Sequence, residues 1–164
     1  MRRVAGNPLI NTVLPESGTG FRTYNREEGG TDQYGLASTI DFFVDLGEEW
    51  AVGHEVPFQV GDISRRGGGA FPPHQGHRNG NEADVRPFRR EGEMLPTNIF
   101  DLAYDQAATR EFVELVRERA PRAIVLFNDP QLMDEGLTRF SEGHYDHLHV
   151  RLPLPQGEEE PPTC

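Results

Sequence analysis

Pro72-Pro73-His74-Gln75-Gly76-His77-Arg78-Asn79-Gly80-Asn81-Glu82-Ala83-Asp84 and, further along, His144-Tyr145-Asp146-His147-Leu148-His149 hold five of the chain's six histidines. The second stretch continues as Val150-Arg151-Leu152. Residues two apart in a strand point to one face of a sheet. His147 and His149 therefore project together, while Leu148, Val150 and Leu152 turn the other way into a core. This alternation predicts a half-buried strand that carries chemistry on its open face. The fold it implies is built around a sheet.

The residue types in the two stretches are those of a metal site. Neutral imidazoles and a carboxylate are standard ligands of catalytic zinc, which takes three protein ligands and keeps one position open. His77, Asp84 and His149 supply that set. His147 and His144 would sit beside it as proton-handling groups. Gly80 lies between the first two ligands and allows the chain to turn so that they converge. Ala83 to Phe88 reads as a short strand that delivers Asp84. Glu82 shares strand parity with Asp84, so it is either a hydrogen-bond acceptor for a ligand or a solvated surface carboxylate. His54 stands alone and is given no role.

The rest of the chain supports a small α+β domain. Residues 1 to about 32 are rich in Gly, Thr, Asn and Pro and are expected to wrap the surface. Tyr34, Leu36, Ala37, Ile40, Phe43, Val44 and Trp50 recur near helical spacing, which predicts a helix from about Gln33 to Trp50. Val56 to Ile63 reads as a strand, with Pro57 near its start. Arg65 to Pro73 is a glycine-rich loop. It lacks the Gly-Lys-Ser/Thr ending of a phosphate-binding loop, so it is expected to line a cleft, where its arginines could meet a substrate carboxylate. Asp105 can cap a helix running to about Arg119, with Ala108, Phe112, Leu115 and Val116 buried. Pro121 stops that helix. Arg122 to Phe127 reads as a buried central strand, Asn128-Asp129-Pro130 as a turn, and residues 131 to 140 as a short helix. From Pro153 the chain turns acidic and proline-rich, so residues 1–153 are expected to be one domain and 154–164 a disordered tail.

Composition excludes some partners. A net charge of −11 argues against nucleic acid and anionic membrane surfaces. It also means that an anionic substrate would have to be recognised locally, at the cleft. No apolar run reaches membrane-spanning length. Cys164 is the only cysteine, so neither an internal disulfide nor a thiolate zinc site can form, and cysteine does not reveal the compartment. Arg2 and Arg3 are not followed by an apolar segment, so no signal peptide is expected.

The run Gly61-Asp62-Ile63-Ser64-Arg65-Arg66-Gly67-Gly68-Gly69, then His74-x-x-His77-x-x-Gly80-x-x-x-Asp84, then His144-x-x-His147-x-His149-Val150-Arg151-Leu152, resembles the penicillin-insensitive murein endopeptidases. That family belongs with the lysostaphin-type enzymes, the D-Ala-D-Ala carboxypeptidases and the hedgehog N-terminal domain. The resemblance spans about Gly35 to Leu152. It implies an HxxxxxxD…HxH zinc core on a small central antiparallel β-sheet flanked by helices. It implies zinc on His77, Asp84 and His149, and catalytic roles for His147 and His144. The implied reaction is cleavage of the D-Ala to meso-diaminopimelate cross-link of peptidoglycan, so the partners are peptidoglycan stem peptides. His74 matches a family histidine that lies near the site and can hold a second metal. The chain departs from the family at Gly76, where serine is usual, and at Glu82, where aspartate is usual. Action in the periplasm or on the cell wall without a signal peptide would need delivery by a phage lysis system or a secretion machine, or a trimmed chain.

His147 is the first choice for the general base and His144 for stabilising the oxyanion when protonated. Related carboxypeptidases use an acidic residue three before the last ligand, which makes Asp146 the runner-up base. Strand parity puts it on the opposite face from His149, and its alternative role is to orient an imidazole. Two other readings use the same scaffold: a zinc D,D-carboxypeptidase or peptidoglycan amidase, and a metal-bearing binding domain without turnover.

Overall fold

Leu148–Arg151 is the strand that the alternation predicts, and Leu148 and Val150 are fully enclosed. It pairs antiparallel with Glu82–Val85 on one side, matching Asp84 to His149 and Glu82 to Arg151. On its other side it pairs antiparallel with Ile124–Leu126. In this computed structural model, which describes residues 6–155, the strands are β1 Ile10–Val13, β2 Ser17–Gly18, β3 Phe21–Thr23, β4 Tyr34–Leu36, β5 Phe58–Val60, β6 Glu82–Val85, β7 Ile124–Leu126 and β8 Leu148–Arg151. The helices are α1 Ala37–Gly53, α2 Gln106–Arg119 and α3 Pro130–Asp134. A six-stranded sheet has the order β2-β3-β5-β6-β8-β7, and β1 and β4 form a separate pair.

The fold is thus mixed α/β, with a multi-stranded sheet and helices among the described residues. The sheet is not wholly antiparallel as expected, because β3 and β5 run parallel. Parallel neighbours need a long crossover, and the segment carrying α1 supplies it. One face of β6 and β8 presents Ala83, Val85, Leu148 and Val150 to a hydrophobic cluster that includes Phe43 and Trp50 of α1 and Phe112, Val113 and Val116 of α2. Phe112 sits 5.0 Å from Phe58, ring to ring, and Trp50 lies 5.1 Å from Phe88. His54 stacks on Trp50 with centroids 3.5 Å apart.

Several elements differ from expectation, each for a tertiary reason. The N-terminal segment does more than wrap the surface. It forms β1, β2 and β3, and Ile10, Leu14 and Phe21 are buried. These strands are too short to show a period. The first helix begins at Ala37 rather than Gln33 because Tyr34–Leu36 pairs with β1. The run Arg122 to Phe127 forms β7 at the edge of the sheet, not its centre. Val125 is buried while Ile124 and Leu126 are half-buried, and a bridge from Leu126 to Arg139 covers part of the open edge, as edge strands require. The third helix ends at Asp134, short of residue 140. No helix among the described residues is long and apolar enough to cross a membrane. The tail expected from residue 154 lies almost wholly beyond the described residues.

Asp105 caps α2 as predicted, accepting from the Ala108 amide at 3.0 Å. Asp129 does more than shape a turn. It caps α3 through the Gln131 and Leu132 amides and accepts the Tyr104 hydroxyl at 2.6 Å. Burial works to raise its pKa, but the Tyr104 and Gln106 hydrogen bonds and the two amides outweigh burial and lower it. Its contribution is therefore full above the unfolded carboxyl value, about 3.9, and is lost as pH falls through the folded value. Asp129→Ala is expected to lose about 2–4 kcal/mol at neutral pH, from the cap and the orphaned Tyr104 hydroxyl. Urea unfolding should show that gap narrowing below about pH 4. An unchanged gap at acid pH would mean the carboxylate charge contributes nothing.

Candidate metal centre and cleft

β6 and β8 set the centre of the site. Residues directly opposite each other in an antiparallel pair share a face, so Asp84 and His149 meet on the side away from the core. His149 Nδ1 lies 3.4 Å from Asp84 Oδ1. The turn before β6 brings in His77, whose Nε2 lies 3.1 Å from the same oxygen. Gly80 supports that turn with φ +70°, and its carbonyl accepts from the Leu36 amide at 3.0 Å.

His77 itself has φ +58°, a left-handed conformation that a histidine seldom adopts. Its surroundings impose it. The backbone amide donates to Glu82 Oε2 at 2.5 Å and Nδ1 lies 2.7 Å from the Ile63 carbonyl. Strain held in place this way is common where a side chain must be aimed.

The hydrogen bonds fix what the imidazoles present to Asp84. A carbonyl oxygen only accepts, so His77 Nδ1 carries the proton and Nε2 offers a lone pair. His149 Nε2 lies 3.2 Å from Glu82 Oε1, so that nitrogen donates and Nδ1 offers its lone pair. With both rings neutral, two lone pairs and an anionic oxygen converge with no donor between them. Such an arrangement calls for a cation or an extra proton. Burial works to lower the His149 pKa, but Asp84 and Glu82 overcome it and raise it to about 9. Burial likewise works to raise Asp84 and Glu82. The hydrogen bonds from His149 and His77 bring Asp84 well below the carboxylate range, and His149, the His77 amide and Arg151 bring Glu82 down to about 2.

His74, His77 and Asp84 also offer ligand atoms that all lie within 4.8 Å of one another, a group that can hold a metal ion. That grouping takes His74 in place of His149, although His149 Nδ1 directly approaches the carboxylate. We favour His149 for the third position, because its nitrogen meets the same oxygen as His77. His74 Nε2 is engaged 2.8 Å from Asp62 Oδ2.

Gly76 and Glu82, where the chain departs from the pattern it resembles, lie against each other. A Cβ at Gly76 would stand 2.9 Å from Glu82 Oε2, so the longer glutamate fits because residue 76 has no side chain. Glu82 is buried and binds His149, the His77 amide and Arg151. It is therefore an orienting acceptor rather than a surface carboxylate. Gly76→Ala should cost about 1–3 kcal/mol by overpacking this carboxylate. Adding Glu82→Asp should return at least about 0.5 kcal/mol of that loss. A strictly additive double-mutant cycle by urea unfolding would refute the pairing.

The remaining candidates gather at the edge of a cleft of about 280 Å³ whose lining includes His74, Asp84, Asp146 and His147. His147 immediately precedes β8, is half-buried, and points Nε2 to within 3.9 Å of Asp84 Oδ1. Its Nδ1 is 2.8 Å from Asp146 Oδ1. Asp146 lies in the bend before the strand, where parity no longer applies, so it lines the same cleft instead of facing away. There its carboxylate accepts from His147 Nδ1 and can orient that imidazole. His144 stands 4.6 Å from His147, ring to ring, with Nδ1 3.0 Å from the Glu142 carbonyl. Burial, with the neighbouring His147, lowers its pKa despite the bond to Glu142. Sequence reading missed Tyr24, Asp62 and Arg86, which also line the cleft. Only parity with Asp84 could have pointed to Arg86. Arg65 and Arg66 of the glycine-rich loop border a different surface depression, beside Asp32 and Tyr34. No protein-family model matches the chain, and no curated protein matches it in sequence.

Proposed function

We propose that this protein is a zinc-dependent murein D,D-endopeptidase, acting in the periplasm or on the cell wall, that hydrolyses the D-Ala to meso-diaminopimelate cross-link of peptidoglycan. The resemblance of its two histidine stretches to that family supports the reading, as does a mixed α/β fold compatible with the hedgehog and D,D-peptidase architecture. The observation that carries it is the convergence of His77 Nε2 and His149 Nδ1 on Asp84 Oδ1 beside an open cleft. Two imidazoles and a carboxylate are the donor set of a catalytic zinc rather than of a hard cation such as magnesium. Their other polar atoms are already held by Ile63 and Glu82, as ligand imidazoles require.

Bound zinc would supply a Lewis acid for the scissile carbonyl and acidify the attacking water. The chain's own residues handle the proton. Asp146 holds the Nδ1–H of His147, which leaves Nε2 free to take a proton from water at the carboxylate end of the cleft. The same nitrogen then returns that proton to the leaving amine. His144, beside it, donates to the developing oxyanion once protonated.

The D,D-carboxypeptidase reading draws support from Asp146, an acidic group three residues before His149 that lines the cleft. Mass spectrometry of muropeptides digested with zinc-loaded protein separates the readings. Dimers converted to monomers with intact stems mark the endopeptidase. Loss of a terminal D-Ala marks the carboxypeptidase. Separation of sugar from peptide marks an amidase. No change in any product would sink the enzymatic reading and leave a metal-bearing binding domain.

A further inference from the structure

We propose that Arg86, seated on the ring of Tyr24, is the subsite for the free carboxylate on the carbon that bears the leaving amine. This rests on the D,D-peptidase reading above and extends it to how the substrate is recognised. Arg86 follows β6, and its amide still donates to the Gln59 carbonyl at 3.1 Å. By strand period it shares the face of Asp84 and Glu82. Its guanidinium stacks 4.1 Å from the Tyr24 ring centroid, and one nitrogen donates to Gln59 Oε1 at 2.9 Å. The remaining donors of the guanidinium fork have no acceptor among the described residues.

The vacancy matters because of where Arg86 sits. Acidic residues outnumber basic ones in the chain, 27 to 16, and the cleft itself is acidic. Arg86, half-buried, has no carboxylate within 4.0 Å among the described residues. Apart from imidazoles, it is also, among the described residues, the one cationic side chain lining a cleft that carries Asp62, Asp84 and Asp146. An anionic group entering this acidic cleft would meet Arg86 as a fixed cationic side chain, beside any bound zinc.

The chemistry of a bond between two D-centres supplies such a group. Its leaving amine sits on a carbon that also bears a carboxylate, whether that carbon belongs to diaminopimelate or to a terminal D-Ala. Standard geometry puts the carboxylate carbon about 2.5 Å from the leaving nitrogen. Two residues of extended chain separate Asp84 from Arg86 by roughly 7 Å, a span that an arginine side chain can bridge. Tyr24 suits the floor of such a subsite. A tyrosine phenol is neutral at pH 7, and its ring face holds the guanidinium by a cation–π contact.

The test compares substrates that carry this carboxylate with the matching carboxamides. Zinc-loaded wild type should cleave muropeptide dimers with the free diaminopimelate carboxylate about ten- to a hundredfold better in kcat/KM than dimers amidated there, the scale of a charge-assisted bidentate contact. Arg86→Gln should bring that ratio toward one through a rise in KM for the free acid, and Arg86→Lys should restore part of it. Equilibrium binding of N-acetyl-D-Ala-D-Ala and its C-terminal amide, with and without zinc, gives a readout independent of turnover. Acid preference that vanishes in Arg86→Gln supports the subsite even if no muropeptide is cleaved, in which case only the catalytic reading fails. Cleavage with no acid preference in wild type, or a preference that survives Arg86→Gln in a protein of unchanged melting temperature, overturns the subsite and leaves the endopeptidase reading intact.

Discussion

Asp84→Ala should strip the protein of stoichiometric zinc and bring muropeptide cleavage to background. Asp84 Oδ1 is the atom on which both His77 Nε2 and His149 Nδ1 converge, so its loss leaves two imidazoles without the anion that organises them. A catalytic zinc site rests on three protein ligands, and a site left with two holds the ion weakly. His149→Ala should behave the same way. His74→Ala should keep its zinc, since that histidine is tied to Asp62. Elemental analysis of the purified variants distinguishes the two candidate triads. Metal lost in His74→Ala but retained in His149→Ala would show that His74, His77 and Asp84 form the primary site. The fold should survive Asp84→Ala, because this face of β6 carries the polar site while the core packs against the other.

His147→Ala should retain zinc and melting temperature yet lose about a hundred- to ten-thousandfold in kcat, the usual worth of general acid–base help. His147 lies outside the strand and is half-buried. Its Nε2 is 3.9 Å from Asp84 Oδ1, farther than His77 Nε2 or His149 Nδ1 and close to the group that a metal there would hold. Asp146→Ala should cost less, because Asp146 is largely solvent-exposed and acts by orienting the imidazole. A larger loss in Asp146→Ala than in His147→Ala would transfer the general-base role to the carboxylate.

Much of the site is legible in the chain because its spacing matches the sheet's period. His149 alternates with Leu148 and Val150, and that pattern needs no knowledge of distant residues. Gly80 and the cap at Asp105 are equally local signals: a turn residue with positive φ, and a carboxylate before a helical stripe. The pairing of Gly76 with Glu82 shows where such reading stops. Each appears in the sequence as a separate departure from a pattern. Their shared cause is a distance of 2.9 Å between a missing Cβ and a carboxylate oxygen, and no spacing rule encodes it.

The amino-acid sequence by itself determined the helix ending at Arg119, the strand bearing His149, and the residue types that converge on one carboxylate, because hydrophobic period, capping and ligand chemistry act over a few residues. Tertiary structure alone decided that Tyr34–Leu36 is a strand, that β7 lies at an edge, that β3 and β5 run parallel, and that Arg86 rather than Arg65 reaches the cleft. Each of those outcomes depends on which partner a segment finds. A three-residue strand is stabilised by its neighbour's hydrogen bonds more than by its own propensity, and those neighbours come from parts of the chain that local pattern cannot connect.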